Sequence, residues 1–382
     1  SRGNRRGATP PRAVWTVSPA PAVPGAGVAG SAATPEAVPP AEASLSATPR
    51  IADAGELERA YSIETLLYVA TFSNRGARLV SMEIKRYASA HGVSAAGGKA
   101  VRIPHGREVP PGDRVVLAGG PSLGLDLGSG ASRHSLEAVV FAAQESLDAA
   151  GANAALTFTL RDSSGLYVRQ TYRVRPSDYA LDLDIEVRGV PSAWRIADYS
   201  LTARSWPLFT EADLPGDARS LKASSHVGAN MHHEGAHGLL KGAKHFDGNA
   251  TWAAVHSRYF VTAIGVREGA SRGVISSGAE RGLTEEQRAW IGSNAKPLQD
   301  VAINSLVMGL PSSNKPVDRF LLYSGPAEYF RLTQYKLRLE RAIDLGWSWI
   351  LPFSTLLLRL MIWIYGVVHN YGLAILLLAT LV

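Results

Sequence analysis

The feature that most constrains the fold of this chain is a run from Tyr179 to Val187 with an apolar side chain at every second position. Five apolar side chains occupy every second position there, and acidic residues fill three of the positions between them. This period of two is the pattern of a β-strand with one buried face. Apolar runs also flank the turn residues at 74–76 and 162–165, which predicts two strand–turn–strand units. Because no long helical pattern separates these strands, 51–325 is predicted to form a large antiparallel β-sandwich.

The first 50 residues have a different composition from the rest of the chain. They contain nine of the 22 prolines and a single aromatic residue, Trp15. Such a segment buries too little apolar surface to offset the entropy of ordering, so residues 1–50 are predicted to be a disordered linker rich in Ala and Pro. Five arginines and two glutamates give this linker a net charge of +3, half of the +6 of the whole chain. The remaining chain has no basic stripe with interleaved aromatic residues, so no nucleic-acid partner is predicted.

Residues 326–344 are predicted to form a basic amphipathic helix after the β region. Its apolar side chains recur at roughly helical spacing, with cations between them: Phe330, Tyr335, Leu339 and Ile343 against Arg331, Lys336, Arg338 and Arg341. Two environments fit this pattern. One is a linker helix beside a membrane, and the other is a solvated surface helix of the β domain.

Residues 345–370 are predicted to form an apolar helix that lies in a membrane interface. The apolar run is shorter than the about 20 residues that a membrane span requires, and Arg359 stands in its middle. At about 100° per residue, one arc of about 60° collects Thr355, Arg359, Gly366 and Asn370. The aromatic side chains suited to the head-group level are Trp347, Trp349, Trp363 and Tyr365. A buried core helix of a soluble protein is the alternative.

The last stretch, 371–382, is apolar and carries no charge. A soluble domain rarely ends on such a run. We therefore predict that 371–382 is the start of a transmembrane helix that the end of the sequence truncates.

A literal H-E-x-x-H motif occupies 233–237. On a helix, His233 and His237 would face one zinc ion, with Glu234 as general base. Three nearby glycines weaken helix formation by about 1 kcal/mol each, so a solvated His-rich loop is the competing prediction. These two histidines are the metal candidates of the sequence. The absence of cysteine excludes disulfides, Cys-ligated metal centres and cysteine nucleophiles.

Other motifs do not indicate catalysis or a bound cofactor. Residues 25–30 match G-x-G-x-x-G, but the surrounding stretch is rich in Pro and Ala rather than in strand and helix patterns. No serine-nucleophile elbow, phosphate loop or calcium loop is present, and the carboxylates are scattered. We predict neither a cofactor nor a catalytic residue.

Two parts of the sequence resemble the YidC family of bacterial membrane protein insertases. The more specific part is C-terminal, where D-L-G-W at 344–347 opens the apolar region and N-Y-G at 370–372 introduces the final apolar run. The other is T-F-S-N-R-G-A at 71–77, followed by I-K-R-Y at 84–87. The resemblance extends in order over about 51–382.

The resemblance implies a periplasmic β-supersandwich at 51–325, followed by the linker helix, the interfacial helix and membrane helices. It implies a non-enzymatic chaperone that assists insertion and folding of integral membrane proteins, alone or with the Sec translocon. Nascent membrane proteins, the Sec translocon with its accessory subunits, and the lipid bilayer would be its partners. The location would be the bacterial inner membrane, with the main domain in the periplasm.

Two other functions remain open at this point. The β-supersandwich is also the fold of sugar mutarotases, so a carbohydrate-binding or mutarotase-like protein is one alternative, by analogy of fold alone. The other is a zinc hydrolase that uses the histidines of the H-E-G-A-H motif.

Overall fold

A computed structural model of the chain describes residues 15–19, 57–89, 108–117, 123–128, 133–147, 154–204, 214–282, 298–343 and 351–381. In these ranges the chain is built mainly of antiparallel strands in three sheets. The mainly β, antiparallel class predicted from the alternating patterns is therefore confirmed. Apart from 15–19, the linker predicted over residues 1–50 lies outside the described residues.

The first sheet contains five described strands in chain order. They are β1 (Trp15–Pro19), β2 (Arg59–Glu64), β3 (Tyr68–Ser73), β4 (Arg78–Ala88) and β5 (Arg114–Leu117). The turn predicted at 74–76 joins β3 to β4, and Gly76 supplies the left-handed φ of 75° there.

The second sheet contains nine described strands. From one edge to the other they are β14 (Asn230–Gly235), β13 (Lys222–Val227), β16 (Ala250–His256), β17 (Phe260–Glu268), β20 (Val317–Pro326), β11 (Ala180–Arg188), β10 (Tyr167–Val174), β9 (Ala154–Arg161) and β8 (Ala142–Leu147). The alternating run begins at Tyr179, one residue before β11, and continues through that strand to Val187. The turn predicted at 162–165 joins β9 to β10.

The third sheet contains six described strands. They are β15 (Lys244–Asp247), β18 (Ser271–Gly282), β19 (Leu298–Gly309), β12 (Asp198–Arg204), β6 (Gly124–Leu127) and β7 (His134–Ser135).

The two smaller sheets pack against the same face of the nine-stranded sheet. Tyr172 pairs with Leu183, which pairs with Phe320, so these side chains share one face. On that face the Tyr172 ring lies 4.9 Å from the Phe72 ring of the five-stranded sheet. Asp318 lies two residues from Phe320 along β20 and therefore on the same face. Its Oδ2 atom accepts a 2.6 Å hydrogen bond from the Tyr199 hydroxyl of the six-stranded sheet. The main core lies between these layers.

Strand β1 corrects part of the linker prediction. Trp15 to Pro19 pair antiparallel with β2, and the Trp15 ring lies 5.9 Å from the Phe72 ring in an edge-on contact. The pattern of residues 1–50 did not reveal this strand, because its pairing partner begins 40 residues later at Arg59. The single aromatic residue of the predicted linker is the one that packs onto the core.

Helices are short in the β region and longer near the C-terminus. Among the described residues they are Leu214–Ser220, Ala236–Leu239, Tyr329–Thr333, Leu351–Val368 and Tyr371–Leu381, with single 3-10 turns at Ser192–Trp194 and Leu339–Ala342. Of the interfacial helix predicted over 345–370, the structure describes a helix from Leu351 to Val368, and 344–350 lie outside the described residues.

The basic amphipathic helix predicted over 326–344 is wrong as one continuous helix. Only Tyr329–Thr333 is α-helical, and the chain then turns through left-handed φ angles of 58° at Lys336 and 61° at Arg338. Burial from Tyr335 to Leu339 alternates, with the apolar residues inside and the cations outside. The helical spacing of the apolar residues does not set the backbone here, because packing on the nine-stranded sheet favours turns and the 3-10 turn at Leu339–Ala342.

Candidate membrane-contact site

Residues 329–343, here called the connecting segment, are docked on the outer face of the nine-stranded sheet. The Tyr335 hydroxyl donates a 2.5 Å hydrogen bond to Asp178 Oδ1, and its ring lies 5.5 Å from the ring of Tyr323. Burial, together with the hydrogen bond to Asp178, raises the pKa of Tyr335. Further along, Leu337 packs above Gly265, where any Cβ atom would overlap the leucine side chain. The connecting segment is thus fixed to the sheet by a hydrogen bond and by close packing.

The two C-terminal helices, here called the helix pair, are joined at His369 and Asn370. The first helix ends as the amide of His369 donates to the carbonyl of Tyr365 at 2.8 Å, with a left-handed φ of 54° at His369. The second begins with Asn370 as its N-cap, because Asn370 Oδ1 accepts the amide hydrogen of Gly372 at 2.9 Å. The N-Y-G sequence therefore separates two helices that contact each other.

The helix pair exposes most of its large apolar side chains. Ile364 and Ala374 are buried, whereas Trp363 and Val367 are 68% and 67% exposed. The other exposed large apolar residues of the pair are Leu356, Ile362, Leu373, Ile375, Leu376 and Leu377. Monomeric soluble proteins rarely expose contiguous apolar patches of this kind, which instead mark protein or membrane contacts.

The predicted membrane-interface residues are distributed unevenly over the described structure. Arg359, Trp363 and Tyr365 lie on the helix Leu351–Val368, where the Arg359 and Trp363 side chains are exposed. Trp347 and Trp349 lie outside the described residues. The assignment of these side chains to a membrane interface stays a prediction.

The lengths of the two helices bear on whether they can cross a bilayer, whose apolar core is about 30 Å thick. In the part of the chain that the structure describes, no helix is both long and apolar enough to cross a membrane. The helix Tyr371–Leu381 has 11 residues, a length of about 16 Å at 1.5 Å per residue. The transmembrane assignment of 371–382 is therefore not shown by the structure.

The H-E-x-x-H motif does not form the helix that zinc binding would require. His233 and Glu234 belong to strand β14, and the short helix begins only at Ala236. The His233 Nδ1 atom lies 2.8 Å from Ser224 Oγ, whereas His237 Nδ1 lies 3.0 Å from Asp300 Oδ2. Among the described residues, no group of three or more His, Cys, Asp or Glu side chains could hold a metal ion. The competing expectation of a loop is also wrong here, since residues 230–235 form an edge strand.

A hydrogen-bonded row of three side chains crosses strands β14, β13 and β16. Buried Ser224 Oγ lies 2.8 Å from His233 Nδ1 and 2.8 Å from His256 Nε2. A neutral His256 ring that donates from Nδ1 to the carbonyl oxygen of Ser257, 3.2 Å away, accepts the Ser224 hydroxyl through Nε2. The row links an exposed histidine to a buried one. No sequence motif indicated it, because its members are 9 and 32 residues apart from Ser224.

The buried side chain of His226, on strand β13, is influenced by positive charges of the connecting segment. Its ring is buried, stacks on Trp252 at an interplanar angle of 18°, and hydrogen-bonds through Nδ1 to Thr251 Oγ1 at 3.1 Å. Burial lowers the pKa of His226, and the positive charges of Arg338 and Arg341 on the connecting segment lower it further.

The free energy of unfolding is expected to fall as the pH drops from about 7.5 to about 5. Because folding lowers the pKa of His226, the unfolded chain takes up its proton at the higher pH. The stability from neutral His226 is therefore present above the ordinary histidine pKa and is lost as the pH falls through the lowered value. Urea denaturation at several pH values gives the free energy of unfolding as a function of pH. In His226→Gln this free energy should depend less steeply on pH than in the wild type. The control His245→Gln removes an exposed histidine and should keep the wild-type slope; an unchanged slope in His226→Gln would contradict this assignment.

Comparison with known proteins gives a matching family profile, a curated relative and two solved structures. The profile described as "YidC periplasmic domain" matches residues 121–354. A curated membrane protein insertase YidC from Chlorobium phaeovibrioides is 25% identical over 333 residues, covering 84% of this chain and 51% of that protein. The chain thus spans about half the length of that relative.

Solved structures give weaker similarity. An active YidC insertase crystal structure is 10% identical with a TM-score of 0.28, covering 87% of this chain and 56% of that one. A galactose 1-epimerase from Lactobacillus acidophilus is 10% identical with a TM-score of 0.37, covering 72% and 96% of the two chains. Both TM-scores are too low to carry an argument.

Proposed function

This chain belongs to the YidC periplasmic domain family, and we propose that it is the membrane-attached periplasmic part of a membrane protein insertase. In this role it assists the insertion and folding of integral membrane proteins, alone or beside the Sec translocon. Its partners are nascent membrane proteins, Sec subunits and the lipid bilayer. Its place is the bacterial inner membrane, with the β-supersandwich on the periplasmic side.

The observation that carries the proposal is the exposed apolar surface of the helix pair. Eight large apolar side chains there are at least 42% exposed, and Arg359 is the single charged residue between Leu351 and Leu381. Each such side chain gains about 1.5–3 kcal/mol when it leaves water, so a bilayer is a strong partner for this surface. The β domain upstream would stay in the aqueous phase, held by the docked connecting segment.

The helix pair lies in the membrane as two distinct elements in this proposal. The helix Leu351–Val368 occupies the interface, with Trp363 and Tyr365 at the head groups and the aliphatic stem of Arg359 along the apolar surface. The helix Tyr371–Leu381 turns into the apolar core, where its lack of charge is favourable. Trp347 and Trp349 are assigned to the interface together with these residues.

The proposed function does not require that a covalent bond be made or broken. An insertase lowers the cost of moving polar parts of a chain into lipid by supplying hydration and polar contacts. The premise of the zinc alternative, two histidines on one helix, is absent from the structure. The carbohydrate-binding alternative has no specific support among the described residues. The non-enzymatic role is part of the proposal, because inserting a chain into a membrane makes and breaks no covalent bond.

Exchange of the periplasmic part of a known insertase tests the proposed function. In the Chlorobium phaeovibrioides insertase, the part that aligns with this chain would be replaced by the chain. The chimera is expected to restore insertion of a single-span test protein in cells depleted of their own insertase. Protease protection of the test protein gives the readout.

Two variants sharpen this experiment. A chimera with Trp363→Asp and Leu376→Asp is expected to lose most of its activity, whereas one with Leu57→Asp and Val116→Asp should keep it. The latter pair lies on the β domain and is also exposed, at 76% and 39%. A stably produced chimera that leaves insertion at the depleted level would refute the proposal.

A further inference from the structure

A cavity opens where the β domain meets the connecting segment. Its volume is about 330 Å³, at the lower end of the about 300–1,000 Å³ typical of small-molecule sites. Its wall is formed by the helix Leu214–Ser220, by the ends of β13, β16 and β17, and by the last residues of the connecting segment. The residues that line it include Arg219, Lys222, Ser257, Arg258 and Ile343.

The lining of this cavity is cationic. Arg219, Lys222 and Arg258 contribute three positive charges, and no acidic residue is among the described residues that line the cavity. Arg219 and Arg258 are exposed, and neither forms an ion pair with any residue that the structure describes. The hydroxyl of Ser257 is buried and has no hydrogen-bond partner among the described residues. An anion with several oxygen acceptors would satisfy the two guanidinium groups and the Ser257 hydroxyl.

The cavity lies close in the chain to the proposed membrane contact. Ile343 lines the cavity, and the helix Leu351–Val368 begins eight residues later. Eight residues span at most about 29 Å when fully extended, which limits the distance from the cavity wall to the first turn of that helix. The length of this connection therefore allows the cavity to lie near the surface of the bilayer.

We infer that this cavity binds a phosphate group, held by the guanidinium groups of Arg219 and Arg258. Guanidinium groups present paired N–H donors that match phosphate oxygens, and Lys222 adds a point charge. Two sources share this chemistry: the phosphodiester of an anionic phospholipid, and free phosphate in solution. The lipid source rests on the proposed membrane attachment, whereas free phosphate does not require it.

The experiment compares the wild-type chain with Arg219→Gln/Arg258→Gln. The control is Arg267→Gln/Lys315→Gln, which removes the same charge from exposed positions. Arg267 lies six residues along β17 from Val261 of the cavity, a distance of roughly 20 Å. Vesicle binding is measured with phosphatidylcholine alone and with an equal mixture of phosphatidylcholine and phosphatidylglycerol. Separately, inorganic phosphate is titrated while the thermal unfolding midpoint is followed.

Phosphatidylglycerol is expected to strengthen binding of the wild-type chain to vesicles. In the cavity variant this increase in affinity should be about 5- to 30-fold smaller, because each cation near an anionic surface contributes about fivefold to the affinity. The control should lose less than about twofold. Phosphate should raise the unfolding midpoint of the wild type and the control but not of the cavity variant. A phosphate effect without a lipid preference would identify free phosphate as the source. If neither measurement separates the cavity variant from the control, the inference is overturned; absence of all vesicle binding would count only against membrane attachment.

Discussion

A chain that carries Trp363→Asp and Leu376→Asp is expected to remain in the aqueous fraction when the wild-type chain floats with phosphatidylcholine vesicles. Both side chains are exposed in the helix pair, at 68% and 64%. Each loses about 1.5–3 kcal/mol of burial energy on substitution, and each new carboxylate adds a further penalty of up to about 3 kcal/mol at membrane depth. Together they should weaken partitioning by at least about 4 kcal/mol, or about a thousandfold.

The control for this prediction removes exposed apolar residues from the β domain. Leu57→Asp with Val116→Asp introduces the same charge and should float like the wild type. Thermal unfolding of each chain verifies that the β domain is intact. Equal flotation of the helix-pair variant and the control would show that the apolar surface of the helix pair does not bind the membrane.

Truncation of Leu339 to Ala is expected to release the connecting segment from the β domain. Leu339 is 1% exposed, and such large-to-small changes cost about 2–5 kcal/mol. The segment also contains Lys336 and Arg338 in left-handed conformations that cost about 1 kcal/mol or more each. Packing of the neighbouring apolar side chains offsets this strain, so its loss should favour local opening.

Trypsin reports this opening, because it cleaves after Lys336 and Arg338. In Leu339→Ala, cleavage at these two bonds under native conditions is expected to rise by about 30-fold or more, following the population of the open form. Leu57→Ala truncates a leucine that is 76% exposed and should leave the rate unchanged. A wild-type cleavage rate in Leu339→Ala would mean that packing of this leucine does not hold the segment.

The strands of the large sheet could be predicted because their signal is local. In β11 the apolar residues of the alternation are buried against the other sheets, and the turn before β10 contains Gly165 at a φ of 95°. Burial on one face and turn geometry both depend on residues that are neighbours in the chain. Such features require no knowledge of the distant partner strands.

The connecting segment shows why a spacing pattern alone did not settle the structure. Its apolar residues recur at helical spacing, yet beyond Thr333 the chain forms turns and a 3-10 turn. This conformation depends on Tyr335 reaching Asp178, which is 157 residues away, and on the space that Gly265 leaves for Leu337. These are tertiary contacts, and no local propensity encodes them. Strand β1 was missed for the same reason.

The candidate sites also differ in whether their signal is local in the sequence. The apolar, nearly charge-free C-terminal region was evident from composition, and the N-Y-G junction marked the place where one helix ends and the next begins. The cationic cavity was not evident, because Arg219, Arg258 and Ile343 come from three separate parts of the chain. The histidine motif indicated a metal site that the strand geometry does not form.

Membrane attachment through the helix pair is tested most directly by a single spin label at Leu376→Cys. The chain contains no cysteine, so the introduced thiol is the sole labelling site, and Leu57→Cys gives the matched label on the β domain. With vesicles present, the account expects the label at 376 to collide frequently with dissolved oxygen and rarely with a water-soluble nickel chelate. The label at 57 should show the opposite balance. Equal access of the nickel chelate to both labels would contradict membrane attachment through the helix pair.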